Sequence, residues 1–111
     1  MTRTLGPLHL LCVPLLVAGC LSHPPDQAFA QASCGGCHAV GRYGLSSNAN
    51  APPFAAIVNR EGLTAETLSA WLRGAHNYPR EMDFYIGERE VIALLAYMMT
   101  LKDPNYVRPP D

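Results

Sequence analysis

The chain has 111 residues, enough for one small domain. Its 8 Lys and Arg stand against 9 Asp and Glu, a net charge of −1. That balance gives no basic surface to neutralise phosphates, so nucleic acid is not an expected partner.

In chain order, the first feature is a leader. Met1 to Gly19 carries one positive charge, Arg3, followed by a mostly apolar run from Leu8 to Val17. A membrane span needs roughly 20 apolar residues, so this run is short for one and fits the core of an export signal. It ends in "LVAGC", residues 16 to 20, which resembles the lipobox of bacterial lipoproteins: small Ala18 and Gly19, then Cys20. The resemblance implies cleavage before Cys20 and a diacylglyceryl group on its thiol. Several acyl chains on one residue hold a protein on a membrane far better than one chain does. The expected location is then the periplasmic side of a bacterial membrane, lipid-anchored. The alternatives are an uncleaved anchor, or cleavage after "AFA" at residues 28 to 30 to give a soluble periplasmic protein. Loss of Arg3 with the leader leaves 7 basic against 9 acidic residues.

Residues 20 to 26 read as the lipidated N-terminus and a tether. A domain is expected over 27 to 103, beginning with a short helical run from Gln27 to Ser33. It leads into "SCGGCHAV", residues 33 to 40. Gly41 to Asn50, rich in glycine, serine and asparagine, reads as loop. "APPF" at 51 to 54 is a rigid bend, because each proline fixes its φ and lacks an N–H. Phe54 to Val58 fits one helical turn. Thr64 can cap a helix from Ala65 to Arg73, with Glu66 near its positive end. Gly74 to Ile86 is loop. The last helix is the best defined: Gly87 precedes it, Glu88 and Glu90 lie in its first turn, and Val91, Leu94, Leu95, Met98 and Leu101 fall at helical spacing. Pro104 opens a proline-rich tail over 104 to 111. The pattern predicts an all-α domain of three to four short helices and long loops. A core of this size is marginal on hydrophobic burial alone, and a bound prosthetic group would give the loops something to pack against.

Cys34, Cys37 and His38 can serve three chemistries. A redox disulfide of the C-x-x-C kind normally sits beside a βαβ pattern, and no segment here alternates as a strand. A structural zinc site takes four ligands, usually from two spaced pairs; there is no second C-x-x-C, and His76 would have to complete the set. C-x-x-C-H is the attachment signature for a c-type haem. Residues i and i+3 lie on one side of a helical turn, so two thiols can reach neighbouring edges of one porphyrin, and His38 is carried beneath the iron. Export leaves Cys34 and Cys37 as the cysteines of the folded part, since Cys12 leaves with the signal and Cys20 takes lipid.

With "CGGCH", "APPF" and "LLAYM" in this order, the chain from about Gln27 to Lys102 resembles the class I monohaem c-type cytochromes. The resemblance implies a cytochrome c fold around one covalent haem c. Cys34 and Cys37 would form the thioethers and His38 would be one axial iron ligand. Met82 sits in the loop where the family carries its second ligand, although Asp83 stands where the family often has proline. His76 competes with it, while Met98 and Met99 read as core. Pro52 resembles the proline whose carbonyl accepts a hydrogen bond from the axial histidine, with Pro53 as the alternative. Tyr97 matches the aromatic that packs the last helix on the first. Asp26 stands where a glycine often allows that crossing, leaving Ala30 or Phe29 to make it. Trp71 is expected either at the haem edge or in the core. The function implied is one-electron transfer to redox protein partners, with membrane contact through the lipid anchor. The alternatives are an accessory subunit of a periplasmic dehydrogenase or oxidase, or a five-coordinate haem protein that binds gas or peroxide.

Overall fold

The computed structural model describes residues 25–74 and 80–109. The leader, Cys20, residues 20 to 24 of the tether and His76 lie outside these residues. The described chain forms α1 (Pro25–Cys34), α2 (Phe54–Val58), α3 (Ala65–Gly74), a 3-10 turn (Arg80–Met82) and α4 (Glu88–Met99). It contains no strand, so the all-α class holds among the described residues. None of these helices is long and apolar enough to cross a membrane.

α1 starts two residues earlier than the sequence pattern suggests and takes in Pro25 and Asp26. Proline is pre-organised for the first helical position, and Asp26 in the first turn complements the helix dipole. α3 begins where Thr64 predicts. The Thr64 Oγ1 accepts from the Thr67 N–H at 3.2 Å, and the Thr67 Oγ1 accepts from the Thr64 N–H at 3.0 Å. This reciprocal pairing satisfies two N–H groups at the helix start, as a capping box does. α4 ends in tight i to i−3 turns, from Thr100, Leu101 and Lys102 back to Tyr97, Met98 and Met99.

α4 is the hub. Its buried stripe, Val91, Leu94, Tyr97 and Met98, is continued by Leu101 beyond the helix. The backbones of α1, α2 and α3 each approach α4 and not one another. Ala30, fully buried on α1, joins Tyr97 in the core, and the half-buried Phe29 packs against the cluster. A small residue here does for the helix contact what a glycine at position 26 would do. Val58 and Phe54 bring α2 into the same core, and Leu68 and Leu72 bring α3.

Polar ties hold the loops to this frame. The Asn59 side chain donates to the Leu101 carbonyl at 3.2 Å and accepts from the Asp103 N–H at 2.8 Å. Arg42 donates to the Thr100 carbonyl at 2.8 Å. The Lys102 ammonium donates to the Leu63 carbonyl at 3.0 Å. The chain just after α4 is thereby fastened to the links on either side of α2. Gly62, at φ 75°, makes the turn into α3 in the left-handed region where a side chain is strained.

Candidate haem-binding site

The first wall of the site is the turn that ends α1. Cys34 lies in the last helical turn, and the N–H groups of Cys37 and His38 both return to the Cys34 carbonyl, at 3.1 and 2.9 Å. The backbone is thus coiled through all three residues. Gly35 is needed here. A Cβ at this position would stand 2.5 Å from the Gln31 carbonyl oxygen, whereas one at Gly36 would meet nothing within 4 Å.

The loop that follows is braced by its own short polar side chains. Ser46 Oγ accepts from the Ala39 N–H at 3.0 Å, and Ser47 Oγ donates to the Gly36 carbonyl at 2.6 Å. The Asn48 N–H donates to the Cys37 carbonyl at 3.2 Å. These bonds fold residues 46 to 48 back over the cysteine turn. Serine and asparagine suit this because their side chains bond readily to nearby backbone.

His38 is fixed from two sides. Its Nδ1 lies 2.7 Å from the Pro52 carbonyl oxygen, and its ring packs 5.6 Å from that of Phe54, centroid to centroid. A carbonyl oxygen only accepts, so Nδ1 carries a proton, and in the neutral ring that leaves the Nε2 lone pair for a metal. Of the two prolines, Pro52 has the contact. The Pro53 carbonyl is taken by the Ile57 N–H of α2 at 3.0 Å. The Phe54 N–H donates to the Ala39 carbonyl at 2.9 Å, which closes the bend against the residue after His38.

The opposite wall comes from α3, the 3-10 turn and α4. One cleft is lined by Cys34, Cys37 and His38, by Trp71 and Leu72 of α3, by Met82 at the end of the 3-10 turn, and by Leu94 and Met98 of α4. Phe54, Ile57, Phe84 and Ile86 complete its mainly apolar lining, with Glu81 at one side. The cleft encloses about 110 Å³. It adjoins a more open lobe of about 500 Å³ lined by Phe29, Phe84, Tyr85, Gly87 and Glu90, and the two share Ser33, Cys34, Phe84, Ile86 and Leu94. Met82 is half-buried; Trp71, 36% exposed, stands at the border between cleft and solvent.

The sequence-derived residues Cys34, Cys37, His38, Met82 and Trp71 therefore share one cleft, and Pro52 reaches it through His38. Met98, read as core, is both buried and part of the lining. The residues that sequence reasoning missed are Phe84, Ile86, Ile57, Leu72 and Leu94. A run of apolar residues straight after a candidate ligand, "FYI" at 84 to 86, is the signal that could have found two of them. The 3-10 turn at Arg80–Met82 also falls inside the segment read as loop; the Asp83 N–H bonds to the Arg80 carbonyl at 3.0 Å and the Phe84 N–H to the Met82 carbonyl at 3.0 Å.

The donor set is compatible with a porphyrin. Burial pushes the Cys34 thiol up, the opposite of the lowered pKa that an attacking redox cysteine needs. Among the described residues no three His, Cys, Asp or Glu side chains converge as a metal-holding group. An iron held inside a macrocycle needs no such cluster, only one axial donor on each face. Two thiols and an imidazole on one turn, beside an apolar cleft, are the parts that covalent haem attachment requires, and Met82 adds a thioether to the same cleft.

No protein-family model matches the chain, and no curated protein or solved structure matches it.

Proposed function

We propose that the chain is an exported monohaem c-type cytochrome of cytochrome c fold, an electron carrier anchored by lipid at Cys20. The observation that carries this reading is the sharing of one apolar cleft by Cys34, Cys37, His38 and Met82, with the Nδ1 of His38 committed to the Pro52 carbonyl at 2.7 Å. A bound haem c supplies a one-electron ferric–ferrous couple. The chain's own part is to fasten, orient and dry that group. Cys34 and Cys37 hold it through thioethers. The Pro52 carbonyl fixes the His38 ring and raises the donor strength of its Nε2, as second-shell acceptors do for ligating histidines. Leu72, Leu94, Met98 and Ile57 exclude water, which lowers the local dielectric. Met82 would supply a second ligand to the iron, and a thioether ligand would raise the potential. With His38 and Met82 both committed to the group, the chain would leave no ligand position for a substrate, which favours transfer over catalysis.

The test is an optical spectrum and an intact mass of the protein made in cells with working haem-attachment machinery. The expected result is a covalent haem, a low-spin spectrum and a weak near-infrared sulfur-to-iron band that Met82→Ala abolishes. A colourless product with the mass of the bare polypeptide, with or without lipid, overturns the proposal. A covalent haem whose sulfur band is absent from the wild type overturns only the role of Met82. Labelled lipid precursors failing to enter the protein, while entering a control lipoprotein, overturn the anchor at Cys20.

A further inference from the structure

Arg73 and Glu88 stand at the two ends of the segment that carries Met82. Arg73 lies in the last turn of α3 and Glu88 is the first residue of α4. Their side chains meet in a fork: Arg73 Nε donates to Glu88 Oε2 at 2.9 Å, and Nη2 donates to Oε1 at 2.5 Å. The guanidinium is held from a third side, where Nη1 donates to the Ser69 hydroxyl. Ser69 is one turn back on α3 and is buried, at 8% exposure. An exposed ion pair usually contributes little, because two long side chains must be ordered to make it. Here the buried hydroxyl already orders Arg73, and the fork fixes direction as well as distance.

We propose that Ser69, Arg73 and Glu88 form a positioning clamp that ties the ends of the Gly74 to Gly87 segment together and so holds Met82 in the cleft that His38 lines. The inference rests on the reading of Met82 as an iron ligand. Tying the ends of a segment reduces the conformations open to the residues between them. It raises the effective concentration of the Met82 sulfur at its binding position without adding any contact there. Arg73 and Glu88 are positioning residues; neither is assigned contact with the haem.

The test uses the ferric holoprotein. Imidazole is titrated into the wild type, Arg73→Ala, Glu88→Ala, the double variant and Arg73→Lys, with the near-infrared sulfur-to-iron band followed alongside. Imidazole must displace Met82, so its apparent affinity reports how firmly the sulfur is held. Each single alanine variant should bind imidazole about two- to fivefold more tightly, the range set by an exposed pair of good geometry. The double variant should go no further than either single one, because both remove the same interaction. Arg73→Lys, which keeps the charge and loses the fork, should fall between. Unchanged imidazole affinity in both alanine variants overturns the clamp, and a lowered urea midpoint beside it would mark the pair as structural only. Additive single effects also overturn it. A wild type with haem but no sulfur band overturns the Met82 reading, and the clamp with it, and is distinguished by the wild-type spectrum alone.

Discussion

Tyr97→Phe probes how the site is fastened to the core. The Tyr97 ring is buried at 7% exposure, and its hydroxyl donates to the Val40 carbonyl at 2.7 Å. Val40 is two residues past His38 and is itself 3% exposed. The bond therefore links α4 to the backbone that leaves His38, next to the Phe54–Ala39 hydrogen bond that closes the proline bend. Phenylalanine keeps the ring and its packing and removes only the donor. A neutral hydrogen bond contributes about 1 kcal/mol net, and an orphaned buried acceptor costs about 1–3 kcal/mol. Arg42 and Tyr43, two and three residues on, are exposed. The bond itself is buried, and its loss should cost about 1–2 kcal/mol. With a urea m-value of about 1 kcal/mol/M for a small domain, the midpoint should fall by about 1–2 M. The assay is equilibrium urea unfolding of the holoprotein followed by far-ultraviolet circular dichroism. A midpoint shift below about 0.3 M, with m unchanged, would refute the assignment of this bond as the tie between the histidine loop and α4.

Two further outcomes follow from local geometry and charge. Gly35→Ala should cost about 1–3 kcal/mol, because the new methyl group meets the Gln31 carbonyl and the end of α1 must open. Gly36→Ala should change stability by less than about 0.5 kcal/mol, and urea midpoints of the pair measure the contrast. The Arg73 guanidinium donates to Glu88 and holds its carboxyl below the ordinary carboxylate range. A group whose folded pKa is depressed contributes stability above its unfolded pKa and loses it as pH falls through the folded value. The difference in urea midpoint between wild type and Glu88→Gln should therefore be present at neutral pH and shrink on acidification to about pH 3, below the usual range for glutamate. A difference that stays constant across that interval would count against the ion pair.

The parts of the molecule that were legible in the sequence are those with a period or a short fixed spacing. α4 was readable because Val91, Leu94, Met98 and Leu101 recur at helical spacing and all are buried. α3 was readable from Thr64, since a capping hydroxyl acts within one turn. The cysteine turn, His38 and its Pro52 acceptor follow from a five-residue string and a resemblance. What was not legible depends on side chains meeting across sequence gaps. Pro25 reads equally as the end of a tether or as the first residue of a helix, and it takes the second role. The serines at 46 and 47 look like ordinary loop composition, and their use as braces on Ala39 and Gly36 needs the folded chain. The Arg73–Glu88 fork joins residues that no helical or strand period relates.

The arrangement of the helices gives the proposed haem a structural role as well as a redox one. α1, α2 and α3 each approach α4 and not one another, so α4 alone links them through the backbone frame. The cleft is lined by residues of all four: Cys34, Ile57, Leu72, and Leu94 with Met98. A rigid apolar group bonded to Cys34 and Cys37 and packed on those side chains would brace the three outer helices against each other directly. It would also tie in the 3-10 turn through Met82. A ligand that binds the folded chain and not the unfolded one adds its binding free energy to stability, and a covalent tether keeps it at high effective concentration through every unfolding event. Helix packing against one hub, with an apolar slot between the spokes, is thus the architecture expected of a small domain whose core is completed by its prosthetic group.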